Sequence, residues 1–257
     1  MPIAPRVTRE QEAYDEGTVY AESSRMSQIF RHVFDCPNAR FCEQYLERQV
    51  LAKVRGSCAL DYGCGNGYYS QHLLSHGANR VIGIDISPRN IEEAQRSCDR
   101  DALTRGAAEF YVMDAHHLTF PNDLFDLVIG RAILHHLEFE KAVREVQRVL
   151  KTGGYAIFEE PLRGNPAGKL YRRLTPRART RDELPLSRAQ IRWADGLFGS
   201  HHHVFGGFLS TSFGMLTSLL VDSPDNMLLR FADSMDRRIM RTPLRYWMRY
   251  AYLVWEK

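Results

Sequence analysis

The chain has 257 residues, 44% of them apolar, and a formal net charge of +3, which supplies one sizeable core and leaves little length for a second domain. Its five cysteines (Cys36, Cys42, Cys58, Cys64 and Cys98) are odd in number and lack CxxC spacing, which argues against a disulfide framework or a cysteine zinc site and for a reducing, cytoplasmic setting. The opening MPIAPRVTREQEAYDEG has no cationic start followed by an apolar run, so it does not read as a secretory signal.

Taken in chain order, residues 9–53 carry two helical patterns with a break at Cys36-Pro37-Asn38; in the second, Phe41, Tyr45 and Leu46 recur at helical spacing towards Val50 and Leu51. A strand is expected at 57–62, a helix at 67–76 and a second strand at 80–85. Ser87-Pro88 opens a helix through Cys98, with a polar N-cap and proline at the first helical position. Strands follow at 108–113 and 124–130. An amphipathic helix at 138–150, apolar at Ala142, Val143, Val146, Val149 and Leu150, ends at Gly153-Gly154 and leads into a strand at 155–159. Strands alternating with helices at this rhythm argue for a parallel sheet covered on both faces.

The rhythm breaks at 161–185, which holds four prolines and most of a basic excess: residues 163–192 contain nine Lys/Arg against Asp182 and Glu183. The segment reads as an inserted lid with one short helix at 169–174, suited to attract an anionic or carrier-bound substrate, or as a merely solvated face. Few aromatics interleave with its arginines, so nucleic acid is not expected. Residues 196–221 carry no formal charge, but their histidines, glycines and hydroxyl residues suit a strand and helix better than a membrane span.

The most informative stretch is Gly63-Cys64-Gly65-Asn66-Gly67, preceded by Asp61 and followed, at the end of the next strand, by Asp85. The glycines allow a tight turn and close approach of backbone to ligand. An acid at a strand's carboxyl end can accept hydrogen bonds from a ribose diol. Asp61, two residues ahead of the first glycine, would repel a pyrophosphate and suits a cationic or amine-bearing ligand.

With these residues in place the sequence resembles class I S-adenosylmethionine-dependent methyltransferases, in particular their ubiquinone/menaquinone-biosynthesis-like, type 11, small-molecule branch. Asp61 to Gly67 with Ile84-Asp85 is similar to motif I and its following acid. Val112-Met113-Asp114-Ala115 is similar to the segment contacting adenine, 125–129 to the fourth strand, 131–137 to the segment after it and 150–154 to the turn before the fifth strand. The match covers roughly residues 55–162. The resemblance implies an α/β fold: a Rossmann-like, doubly wound, seven-stranded sheet, mostly parallel with the last strand antiparallel. Residues 1–54 would be an N-terminal helical cap, 55–162 the cofactor core, 163–200 the lid, and 201–257 the C-terminal strands (near 202–205 and 251–255) and helices (209–221 and 227–240). It also implies S-adenosyl-L-methionine as cofactor, with Asp61, Gly63, Cys64, Gly65, Asp85, Ile86, Asp114, Ala115, Arg131 and Tyr20 as its binding residues.

Methyl transfer from a sulfonium needs alignment above all, plus a base when the acceptor is a hydroxyl. His135 and His136, just past the fourth strand, are the candidate catalytic bases or pocket-shaping groups, since an imidazole with an unperturbed pKa near ~6.5 accepts protons at neutral pH. Glu160 is a third catalytic candidate, although alternation sends Glu159 and Glu160 to opposite faces. Strand alternation likewise splits His201-His202-His203, the outer two facing one way; no carboxylate set accompanies them in the sequence, so no metal is expected and pocket lining or packing remain. Tyr14 and Tyr20 belong to the cap, which the resemblance implies folds over the cofactor's methionine end, where a tyrosine hydroxyl either bonds the carboxylate or packs in the core. The activity expected is methyl transfer to a hydroxyl or carboxylate oxygen of a small, specialised metabolite. The rivals are N-methylation of a small amine, an RNA or protein methyltransferase recruited by the basic insertion, and a non-catalytic cofactor-binding subunit.

Overall fold

The structure, a computed structural model, describes residues 5–176, 180 and 183–257. Apolar runs bounded by glycine turns form five parallel strands: β1 (Cys58–Tyr62), β2 (Arg80–Asp85), β3 (Ala108–Val112), β4 (Phe125–Arg131) and β5 (Leu150–Pro161). β6 (Ser200–Gly206) and β7 (Tyr250–Glu256) complete the sheet, in the order β3-β2-β1-β4-β5-β7-β6, with β7 antiparallel to both its neighbours. The expected doubly wound sheet is therefore the one observed, including its single reversed strand. Strand order changes direction between β1 and β4, so a crevice opens beyond their carboxyl ends, where such sheets take ligands.

Both faces are covered, which is why the central strands are almost continuously apolar. On one face α4 (Pro37–Val54) seats Leu46, Val50 and Val54 with Leu73 of α5 (Tyr68–Ser75) against Val81, Leu127 and Ile157. On the other, α8 (Phe139–Val149) packs Ala142, Val143, Val146 and Val149 beneath Phe125, Val128 and Ala156. α6 (Pro88–Ser97) buries Ile91 and Ala94 against Phe110; Ser87 caps it, accepting the Asn90 N–H at 3.1 Å, as its Ser-Pro start implies. The short α7 (Arg100–Thr104) was not anticipated.

The larger departures lie outside the core. The cap contains four helices rather than two: α1 (Pro5–Glu16), α2 (Thr18–Ile29), α3 (Arg31–Asp35) and α4. Gly17, at φ +72°, breaks the first pair where no periodicity fails. β5 begins at Leu150, so the expected turn at 150–154 is part of the strand. The insertion holds α9 (Pro166–Leu174), near the expected short helix, and then α10 (Arg188–Asp195), which was missed. Its signal was present: Ser187 and Gln190 form a reciprocal capping box. α11 (Leu209–Leu220) and α12 (Met227–Ile239) stand where expected. Buried Asp236 of α12 accepts the N–H groups of Phe208, Leu209 and Ser210 at 2.8–3.1 Å, satisfying the start of α11.

The histidine triplet alternates as expected. His203 and His201 face Asp195 of α10 at 2.8 and 3.7 Å, and His202 Nε2 lies 3.0 Å from Gln49. Asp195 also accepts the Trp255 indole N–H at 3.0 Å, so the cluster braces the sheet edge, and none of the three histidines reaches the cavity described below. Among the described residues no helix is long and apolar enough to cross a membrane.

Candidate active site

Beyond the ends of β1, β2 and β4 lies a cavity of about 460 Å³, roofed by the N-terminal helices and the insertion. The glycine loop forms one wall. Gly63, Gly65 and Gly67 hold φ of +82°, +52° and +77°. A Cβ at Gly63 would sit 2.9 Å from the Ile133 side chain, and one at Gly67 2.8 Å from Ala94, so the loop is pressed between two layers and admits only glycine there. Gly63 and Cys64 donate to the Ile84 carbonyl at 2.9 and 2.8 Å. Asp85 binds the loop to its own helix: Oδ2 accepts the Gly65 N–H at 2.9 Å, and Oδ1 accepts Ser87 N–H at 2.9 Å and Asn90 Nδ2 at 3.3 Å. Burial raises the pKa of this carboxyl, and those donors oppose the rise. The carboxylate also lines the cavity.

Asp61 stands behind the loop, 4% exposed, accepting Ser70 Oγ–H at 2.6 Å. Burial, reinforced by the nearby Asp85, pushes its pKa up to about 6. Since this exceeds the unfolded value of 3.8, the folded state binds the extra proton, and stability falls as pH rises from about 4 through about 6. Ionised Asp61 then costs roughly 2–3 kcal/mol at neutral pH. Asp61→Asn is expected to unfold at higher denaturant at pH 7.5 and to lose this pH dependence; equal midpoints at pH 5 and pH 7.5 in the parent protein would contradict the assignment. A carboxylate kept at such a cost fits a ligand that brings positive charge.

The next strand end supplies Asp114, Ala115 and Met113. Asp114 accepts from His116 through its backbone N–H at 2.9 Å and its Nδ1–H at 2.6 Å, while His116 Nε2 accepts the Glu138 N–H at 2.8 Å, which fixes the tautomer. Burial works against ionisation of Asp114, but the two His116 bonds win and its pKa falls to about 2. The Tyr62 hydroxyl donates to the Ala115 carbonyl at 2.5 Å, tying the segment to β1.

The histidine pair occupies a 3₁₀ turn at Leu134–His136 that follows Ala132, whose φ of +54° is rare for a residue with a side chain. Glu160, fully buried at the end of β5, holds that turn. Its Oε1 accepts the N–H groups of Ile133 and Leu134 at 2.9 and 2.7 Å, and its Oε2 accepts the N–H and Nδ1–H of His135 at 3.3 and 2.8 Å. With Nδ1 engaged by Glu160, His135 Nε2 has no hydrogen-bond partner among the described residues; Glu183 Oε1 is 3.8 Å away, too far for one. Glu183 is held by Arg172 at 2.5 Å. His136 is engaged on both sides, by Glu10 at Nδ1 (3.1 Å) and by the Tyr14 hydroxyl at Nε2 (3.0 Å). Thr180 closes this end, donating to Glu10 at 2.6 Å.

Of the residues named from the sequence, Gly63, Asp85, Ile86, Asp114, Ala115, Arg131, His135 and His136 line the cavity together. Asp61, Cys64, Gly65 and Glu160 stand behind that wall and act on it through hydrogen bonds or packing. Glu160 is thus a positioning residue, having no exposed surface with which to meet a substrate. Arg131 reaches the wall already bound to Glu43 and Glu159, at 2.8 and 2.7 Å. Tyr20 lies in α2 with its side chain outside the described residues. Glu10, Tyr14, Arg172 and Glu183 complete the site; of these the sequence singles out Tyr14, as a cap residue either bonding the cofactor's carboxylate or packing, and Glu183 only as an acid within the basic run.

Residues 60–158 match the family model described as methyltransferase domain, type 11. Ribosomal protein L11 methyltransferase of Burkholderia cenocepacia is 34% identical over 102 residues, 40% of this chain and 31% of that protein. Sterol 24-C-methyltransferase of Aspergillus fumigatus is 32% identical over 119 residues, 46% of this chain and 31% of that protein. The chain thus spans about a third of the length of these curated relatives. Among solved structures, an S-adenosylmethionine-dependent methyltransferase of Thermotoga maritima, a possible histamine N-methyltransferase, superposes with a TM-score of 0.58 at 15% identity, over 96% of this chain and 99% of that one, a likeness of fold.

Proposed function

We propose that this chain, whose residues 60–158 match the methyltransferase-domain model, transfers a methyl group from S-adenosylmethionine to an oxygen of a small-molecule acceptor. When bound, the cofactor supplies an activated methyl on a sulfonium. The residues present fit it: the Gly63 to Gly67 loop offers backbone free of Cβ atoms, Asp85 offers a carboxylate to a ribose diol, and Ile86, Met113, Asp114 and Ala115 form the flank for a purine.

One observation supports a hydroxyl acceptor: the Glu160–His135 pair, in which Glu160 takes Nδ1 and leaves Nε2 at the cavity wall. Glu160 fixes the imidazole's tautomer and orientation and offsets the charge that appears when Nε2 takes a hydroxyl proton. His136, bound at both nitrogens, shapes the pocket.

The test is titration of S-adenosylhomocysteine by calorimetry, followed by incubation of the enzyme with deuteromethyl cofactor and fractionated small metabolites, read by mass spectrometry. Saturable binding weakened about tenfold or more by Asp85→Ala is expected, since that change removes charged hydrogen bonds. A deuteromethyl label on an oxygen is expected with it. Label on nitrogen would replace the oxygen reading, and tight binding with no labelled product in any fraction would favour the non-catalytic subunit.

A further inference from the structure

Among the cations on the cavity wall, two are neutralised in place: Arg131 by Glu43 and Glu159, and Arg172 by Glu183. Three others, Arg163, Lys169 and Arg249, line the same cavity, and among the described residues none of them has a carboxylate within ion-pair distance.

Their placement is built by the chain rather than left to a flexible surface. Leu162 N–H donates to the Arg249 carbonyl at 2.8 Å, and Arg163 N–H to the Leu186 carbonyl at 3.0 Å, which fixes the end of β5 against the start of β7 and against the lid. Asn165, 1% exposed, caps α9 by accepting the Gly168 N–H at 2.7 Å. Its Nδ2 donates to the carbonyls of Gly207 and Trp247 at 2.9 and 3.1 Å, so the first turn of α9, which carries Lys169, is held beside the segment that carries Arg249. The Arg249 guanidinium lies over the rings of Phe34 and Tyr250, 4.3 and 4.6 Å from their centroids. Stacking of that kind positions a guanidinium, and with Nη1 donating to the Val33 carbonyl at 3.4 Å its remaining N–H groups are available to an anion.

We propose that Arg163, Lys169 and Arg249 form an anion subsite at the mouth of the acceptor cavity, and that it holds a phosphate group carried by the methyl acceptor. The assignment to the acceptor rests on the methyltransferase reading above. Three cations from three segments lining one cavity match a multiply charged oxyanion better than a single carboxylate, and Arg249 adds the fork geometry that phosphate takes. The subsite stands apart from the residues assigned to the cofactor, so the phosphate serves recognition, and the wall between it and His135 receives the part of the acceptor that is methylated.

The full chain, saturated with S-adenosylhomocysteine, is titrated with inorganic pyrophosphate at fixed ionic strength and floated with phosphatidylcholine vesicles with and without phosphatidylglycerol. The variant is Arg163→Ala/Lys169→Ala, both exposed side chains whose loss leaves the core intact. Pyrophosphate binding weakened about tenfold or more in the variant, with unchanged S-adenosylhomocysteine affinity, supports a soluble phosphorylated acceptor. Vesicle binding that needs phosphatidylglycerol and is lost in the variant supports the same subsite acting on a lipid phosphate. If neither probe separates parent from variant, the subsite is overturned. Failure of S-adenosylhomocysteine itself to bind overturns the methyltransferase reading and leaves the pyrophosphate result to stand alone.

Discussion

Replacing Glu160 by alanine is expected to cost about 3–5 kcal/mol of unfolding free energy and to remove methyl transfer together with it. Among the described residues no other carboxylate of the cavity region serves so many donors without any exposure: three consecutive backbone N–H groups and one imidazole N–H converge on it. Alanine leaves three donors buried and a fourth, Ile133 N–H, partly so, and each unsatisfied buried group carries a desolvation penalty of about 1–3 kcal/mol before relaxation. Against a total stability on the order of 5–15 kcal/mol this is severe. Glu160→Gln separates the two roles of the residue. The amide keeps one oxygen for two of the donors but turns an NH₂ towards the other two. Stability should fall by about half as much, and turnover by nearly as much as in the alanine variant, because His135 loses its tautomer lock. Denaturant midpoints and single-turnover rates on the two variants decide this; an alanine variant as stable as the parent would remove Glu160 from the framework of the site.

That residue also marks where the sequence was legible and where it was not. The core from β1 to β5 could be followed because short-range physics punctuates it: apolar runs of strand length, glycines at positive φ, and a Ser-Pro start to α6. Asp85, Asp114 and the histidines could be placed because each ends or follows a strand, where a parallel sheet presents side chains to its ligand. The roof of the cavity has no such local signature. Glu10 meets His136 across 126 residues of sequence, and Thr180 meets Glu10 across 170, so nothing in the spacing of either segment announces the contact. Glu183 read as one of two acids diluting a basic run, whereas it is nearly buried and sits between Arg172 and His135. Arg131 read as a cofactor ligand from its neighbours in sequence, while Glu43, 88 residues away, supplies part of its charge balance. The missed helix α10 belongs to a different class, since its Ser187 to Gln190 capping box was local and was obscured by the proline-rich stretch before it.

Replacing His135 by alanine is expected to lower the turnover of a hydroxyl acceptor by about 10²–10⁴-fold, the usual contribution of a positioned general base. S-adenosylhomocysteine affinity should stay within a factor of two or so, because the flank proposed for the cofactor consists of the glycine loop, Asp85 and the Asp114 segment, and His135 touches none of the bonds that shape them. The variant should also lose the acid limb that a histidine base imposes on the pH profile of kcat/KM. His136→Ala is the control that the geometry provides. Both of its ring nitrogens are already committed, to Glu10 and to Tyr14, so its loss loosens the contact between α1 and the 3₁₀ turn. It should raise the acceptor's KM and lower stability while keeping the shape of the pH profile. An amine acceptor reverses the first expectation, since a neutral amine attacks through its own lone pair and needs little help from Nε2. In that case His135→Ala retains turnover to within about tenfold and the acid limb persists, now reporting the acceptor's own protonation. The pair of profiles therefore separates hydroxyl from amine methylation and assigns the two adjacent imidazoles to different work.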